Sequence, residues 1–226
     1  MINNIMNFKS FYLTEMAKPK EEHTGLWYHG TNKEGFEGIK SDGYLIPSKK
    51  VGKKSKSMMA PQHNKVYLTR DIDEAIGYAF FRSKPEDVVS YGGPKEKFGY
   101  LVIVDGNELD DIDPDEDIIA DIIPKFIDSS KNYWLRELAM KKAPKALEKY
   151  DRFGDYAYGT ALGKILIKYL TDEQKYKLIG LGKKIAHTGM IQPKQIWKLS
   201  HDKYIKQDIV NKNDYKKFGE LVWERP

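Results

Sequence analysis

Strand-patterned segments lie toward the two ends of this chain and helix-patterned ones between them, and that order limits the fold more than any other feature. Residues 26–29 (Leu-Trp-Tyr-His) read as a buried strand, residues 65–69 as a second, and residues 98–104 (Phe-Gly-Tyr-Leu-Val-Ile-Val) as the most convincing strand in the chain. Residues 44–46 form a short strand closed by Pro47. Helices are expected over 32–40, with Phe36 and Ile39 facing inward, and over 71–82, where Asp71, Asp73 and Glu74 suit the positive end of a helix. From about 117 to 181 the pattern is mostly helical, most clearly in 133–150 and 161–170, and strands return at 184–186 and 195–199. A doubly wound sheet would interleave strands and helices throughout. Segregated helices instead predict an α+β fold.

The expected organisation is an N-terminal segment (1–23), a domain over 24–200 with a helical insertion at about 117–181, and a charged extension over 201–226. Residues 48–64 are polar and lysine-rich (Lys49, Lys50, Lys53, Lys54 and Lys56) and read as a loop, as do residues 83–97. With 226 residues the chain can bury a core without cross-links. It has no cysteine, which excludes disulfides, thiolate metal sites and cysteine nucleophiles. The five histidines (His23, His29, His63, His187 and His201) show no metal-ligand spacing, so no metal is expected. The acidic run Asp110, Asp111, Asp113, Asp115, Glu116 and Asp117 lacks the glycine and ligand spacing of a calcium loop, and reads as a linker and helix start. A net charge of +5 points to an acidic partner. No apolar run approaches a membrane span, and residues 1–22 lack the apolar core of a secretory signal, so the expectation is a cytoplasmic protein without a membrane partner.

Three short pieces carry chemistry: Tyr28-His29-Gly30-Thr31, Val66-Tyr67-Leu68-Thr69 and Ala75-Ile76-Gly77-Tyr78. His29 ends a strand beside Gly30, where a glycine lets another group approach the backbone, and an imidazole can hydrogen-bond a ribose hydroxyl. A helix running back along the strand after Arg70 would bring Tyr78 near Tyr67, and two phenol rings can sandwich a flat cationic ring. Core packing of the same residues is the plain alternative.

In order and spacing, these motifs resemble the ADP-ribosyltransferase fold shared by diphtheria toxin and the poly(ADP-ribose) polymerases. Gly35, the Ile39…Gly43 turn and the helix Asp73-Glu74-Ala75-Ile76-Gly77-Tyr78-Ala79 extend the likeness over about residues 26–104. The resemblance implies a split antiparallel β-sheet core with a helical insertion, and NAD as the substrate. By the same likeness His29 holds a ribose, the Gly30 backbone grips the carboxamide, Thr31 supports the turn, and Tyr67 and Tyr78 stack on nicotinamide. The implied function is mono-ADP-ribosylation of a macromolecule, a protein in preference to a nucleic acid. The likeness departs at the acid: a glutamate is expected on the strand at 184, where Lys184 stands, and Glu137 is the substitute the sequence offers. That departure keeps two rivals open, a binding or virion structural protein that has lost catalysis, and an NAD-consuming RNA 2′-phosphotransferase. The latter family relies on several arginines, and only Arg70 and Arg82 lie near these motifs. Residues 6–15, ending Leu13-Thr14-Glu15, resemble the capsid-targeting propeptides that a prohead protease of tailed phages clips after glutamate; a frayed helix reads equally well. Cleavage after Glu15 would imply a protein packaged in the virion and injected into the host cytoplasm.

Overall fold

The computed structural model describes residues 24–47, 64–80, 97–126, 133–204 and 215–225. The segments read as a propeptide and linker, most of the lysine-rich stretch at 48–64, and nearly all of the 83–97 loop lie outside the described residues. The architecture is α+β: a seven-stranded, wholly antiparallel sheet and, among the described residues, nine α-helices. No helix among them is long and apolar enough to cross a membrane.

Strand β1 (Leu26–Thr31) leads through the Asn32 cap into helix α1 (Lys33–Asp42). The Asn32 side chain accepts from the Gly35 amide, satisfying one of the free donors of the first turn, and Gly43 closes the helix at φ 76°, a left-handed conformation that glycine adopts without strain. Residues 44–46 form an isolated bridge, Leu45 to Ile191, in place of a full strand. Strand β2 (Lys65–Thr69) precedes helix α2 (Ile72–Ala79), whose cap Asp71 accepts from the Asp73 and Glu74 amides. Strand β3 (Phe98–Asp105) is buried on both faces: Tyr100, Val102 and Val104 pack with α1, and Leu101 and Ile103 pack with α2. Strand β4 (Ile112–Pro114) lies within the acidic run read as a linker. Its alternation explains it: Ile112 and Pro114 are buried, while Asp113 between them bridges Lys65 and Lys175 at 2.7 and 2.8 Å.

Helices α3 (Glu116–Phe126), α4 (Tyr133–Lys142), α5 (Pro144–Phe153), α6 (Tyr156–Leu166) and α7 (Asp172–Gly182) follow. They enclose a second core around Ile118, Ile119, Leu135, Leu162, Leu166 and Leu178. The pattern over 133–150 is broken at Pro144, which cannot continue α4 but suits the first turn of α5. Strands β5 (Lys184–Thr188) and β6 (Gln195–Ser200) complete the core sheet. Two four-residue helices, α8 (His201–Tyr204) and α9 (Tyr215–Phe218), precede β7 (Gly219–Glu224), which pairs with β6. The C-terminal part is therefore built into the sheet, with Tyr215 and Phe218 buried, where the sequence suggested an extension.

The order across the sheet is β4-β5-β2-β1-β3-β6-β7. β1 and β2 are in register at a single pair, Tyr28 opposite Thr69. Beyond it β1 stays on β3 and β2 stays on β5, so the sheet opens between two halves. That opening positions the site.

Candidate functional site

A cavity of about 420 Å³ lies where β1 and β2 part. His29, Gly30 and Thr31 of β1 form one wall, and Tyr67 and Thr69 of β2 the opposite one. Glu74 and Tyr78 of α2 close one side, and Asp115, Glu116 and Asp117 at the start of α3 close the other. The structure thus brings together five of the six residues singled out from the sequence: His29, Gly30, Thr31, Tyr67 and Tyr78. Glu137 is not among the lining residues; it stands exposed on α4, whose inward face is Leu135 and Ala139. A second cavity of about 350 Å³ shares His29, Thr31 and Tyr67 and continues past Asp42, Tyr44 and Lys65.

His29 spans the opening. Its Nδ1 lies 2.9 Å from the Tyr67 carbonyl oxygen, which can only accept, so Nδ1 carries the proton and donates. Nε2 is left as an acceptor. Burial lowers the imidazole pKa, partly opposed by the bond to Tyr67, so the neutral ring persists at neutral pH. Gly30 is needed for packing: a Cβ there would overlap the Ala75 carbonyl oxygen and lie 2.6 Å from the Ala79 amide nitrogen. The group that approaches Gly30 closely is helix α2.

The Tyr67 hydroxyl donates to both carboxylate oxygens of Glu116, at 3.0 and 3.2 Å. Glu116 is 3% exposed. Burial raises its pKa, while the Tyr67 hydroxyl and the Lys164 ammonium at 3.8 Å pull it back. Glu116 is the buried carboxyl of the cavity that the motifs in the sequence do not include. Its signal was available: Glu116 shares one helical face with Ile119 and Ala120, three and four residues on, and both are buried.

Tyr78 stands half-exposed at the rim, its phenol pushed up to about 12 by burial and by the Glu74 carboxylate. Lys184, at the position where the family likeness called for an acid, pairs with Glu74 at 2.7 Å and Asp121 at 3.6 Å. Burial opposes its charge, but these carboxylates prevail and hold its pKa above the usual lysine range. Glu74 also accepts from the Thr69 hydroxyl at 2.9 Å. The lining carries four carboxyl groups (Glu74, Asp115, Glu116 and Asp117) and one ammonium; Glu74 is paired with that ammonium and Asp115 keeps its proton at neutral pH, which still leaves the lining net acidic toward a cationic ligand group. Among the described residues no group of three or more histidines, aspartates and glutamates is arranged to hold a metal ion.

Asp115 has its pKa pushed up to about 8 by burial and by the Asp117 carboxylate. Between the unfolded value near 4 and about 8, the folded chain keeps a proton that the unfolded chain releases. Stability is therefore full below the unfolded value and is lost as pH rises through that window. Asp115→Asn keeps the oxygen that accepts from the Asp117 amide at 2.9 Å. Relative to wild type it should gain about 2 kcal/mol between pH 4 and pH 9, the full linkage being discounted because the carboxyl is partly exposed. Thermal unfolding at pH 4, 6 and 9 checks this; an advantage that does not grow with pH contradicts it.

Comparison of the chain with protein-family models, with curated proteins and with solved structures gives no match.

Proposed function

We propose that this chain is an NAD-dependent mono-ADP-ribosyltransferase, with an ADP-ribosyltransferase-like split sheet carrying α3–α7 as its helical insertion. The observation that carries the reading is that Tyr67 holds both partners across the opening of the sheet: its main-chain carbonyl accepts from His29 Nδ1 and its side-chain hydroxyl donates to Glu116. This arrangement joins the histidine and tyrosine of the family likeness to a buried carboxylate that the sequence motif lacked. In this reading His29 Nε2 accepts from a ribose hydroxyl, and Tyr67 and Tyr78 flank the nicotinamide. The bond from C1′ to the nicotinamide nitrogen breaks and its electron pair leaves with the ring, which becomes neutral. The carboxylates of the cavity, Glu116 foremost, stabilise the positive charge that develops at C1′. A nucleophile of a macromolecular acceptor, a protein in preference to a nucleic acid, then bonds to C1′ and releases its proton to water.

The 2′-phosphotransferase alternative gains no support. No arginine lines the cavity among the described residues, and the Arg70 guanidinium lies over the Trp27 ring at 4.7 Å. A second reading, a binder without catalysis, is favoured by one observation, the ion pair of Lys184 with Glu74. Calorimetric titration of the purified chain with NAD tests the shared part of both. Binding that weakens at least tenfold in Tyr67→Ala is expected. A chain that takes up no heat of NAD binding removes the reading.

A further inference from the structure

Helix α6 contributes no residue to the cavity lining, yet one of its faces touches both carboxylates at the start of α3. Lys164 Nζ lies 3.8 Å from Glu116 Oε1. The Thr160 hydroxyl, 1% exposed in its residue, donates to Asp117 Oδ1 at 2.7 Å. On the same face, a Cβ at Gly163 would overlap the Glu116 carbonyl oxygen, and one at Gly159 would lie 2.8 Å from Ala120. The two glycines let the helices meet backbone to backbone, and the two polar side chains flank that contact. This spacing of four residues repeats on one helical face.

We propose that α6 is the positioning element for the acid of this cleft, Gly163 fixing the depth of Glu116, Lys164 its charge, and Thr160 the direction of its neighbour Asp117. The proposal rests on the transferase reading for its consequence but not for its geometry. Lys164 is a positioning residue: it reaches the chemistry only through Glu116. The charged and titratable groups around the cleft are His29 from β1, Tyr67 from β2, Glu74 and Tyr78 from α2, Asp115 and Asp117 on either side of Glu116, Lys184 from β5, and Lys164 and Tyr156 from α6. Of these, Lys164 and the Tyr67 hydroxyl favour the ionised carboxylate directly.

The test is carboxyl-carbon NMR titration of Lys164→Met and Lys164→Arg, with Glu116 assigned by its disappearance in Glu116→Gln, and the pH profile of nicotinamide release beside it. In Lys164→Met the Glu116 midpoint should rise by about half a unit or more, and the acid limb of the profile should move up with it. Lys164→Arg should restore both, because a guanidinium keeps the charge. A midpoint unmoved in Lys164→Met overturns the proposal, whatever the activity does. If the midpoint moves but Glu116→Gln turns over NAD normally, the placement stands and the transferase reading of Glu116 fails. Thermal unfolding of each variant separates these outcomes from simple loss of fold.

Discussion

Replacing Glu116 by glutamine is expected to lower nicotinamide release from NAD by about 10²- to 10³-fold, the range found when one preorganised stabiliser of transition-state charge is removed. NAD affinity should change by no more than about threefold, because the charge at C1′ develops only as the bond breaks. Glutamine preserves the shape of the side chain and an oxygen that can accept from the Tyr67 hydroxyl, now 3.0 Å from Glu116 Oε1. Burial already disfavours the ionised carboxylate, so the substitution should leave the unfolding midpoint unchanged or raise it. The pH dependence follows with its sign. Activity needs Glu116 ionised and His29 neutral, so it should fall as pH drops through the raised carboxyl pKa and the lowered imidazole pKa. Steady-state rates and calorimetry on the same preparation separate the two effects, and a Glu116→Gln variant with wild-type turnover contradicts the assignment.

Gly30→Ala should cost about 3 kcal/mol, near the upper end for an added methyl group in a packed site. The new Cβ would meet the Ala75 carbonyl and the Ala79 amide, which are helix backbone and cannot rotate aside. Relief requires α2 to lift off β1, carrying Glu74 and Tyr78 out of register with the cavity. For a chain of this size the loss corresponds to about 6–12 °C in the unfolding midpoint. Gly38→Ala is the control: nothing lies within 4 Å of its added Cβ, and on the exposed face of α1 alanine should stabilise by about 0.5–1 kcal/mol. Equal midpoints for the two variants would show that α2 does not rest on the β1 backbone.

Local pattern was legible where one element carries its own signals. The bounds of β2, the start of α1 to within one residue and the α+β class follow directly from turns and apolar spacing. What stayed hidden depends on partners distant in sequence. β4 is recognisable only once Asp113 meets Lys65 and Lys175, since four of the residues from Asp110 to Asp115 are acidic and mimic a linker. β7 is an edge strand with Leu221 and Val222 exposed, so it lacks the alternation that marks a half-buried strand. The two glutamates illustrate the same limit. Glu137 has exposed Met140 and Lys141 at the next turn, while Glu116 has buried Ile119 and Ala120. Helical facing could separate them, but the pairing of Glu116 with Tyr67, 49 positions earlier, could come only from the fold.

Cleavage of the nicotinamide–ribose bond of NAD in this cleft is measured by nicotinamide release from NAD by the purified chain, with and without bacterial lysate, beside His29→Ala. Release by the wild-type chain should rise with lysate and fall at least 10²-fold in His29→Ala. Release that is absent, or that is equal in the two proteins, would contradict cleavage in this cleft.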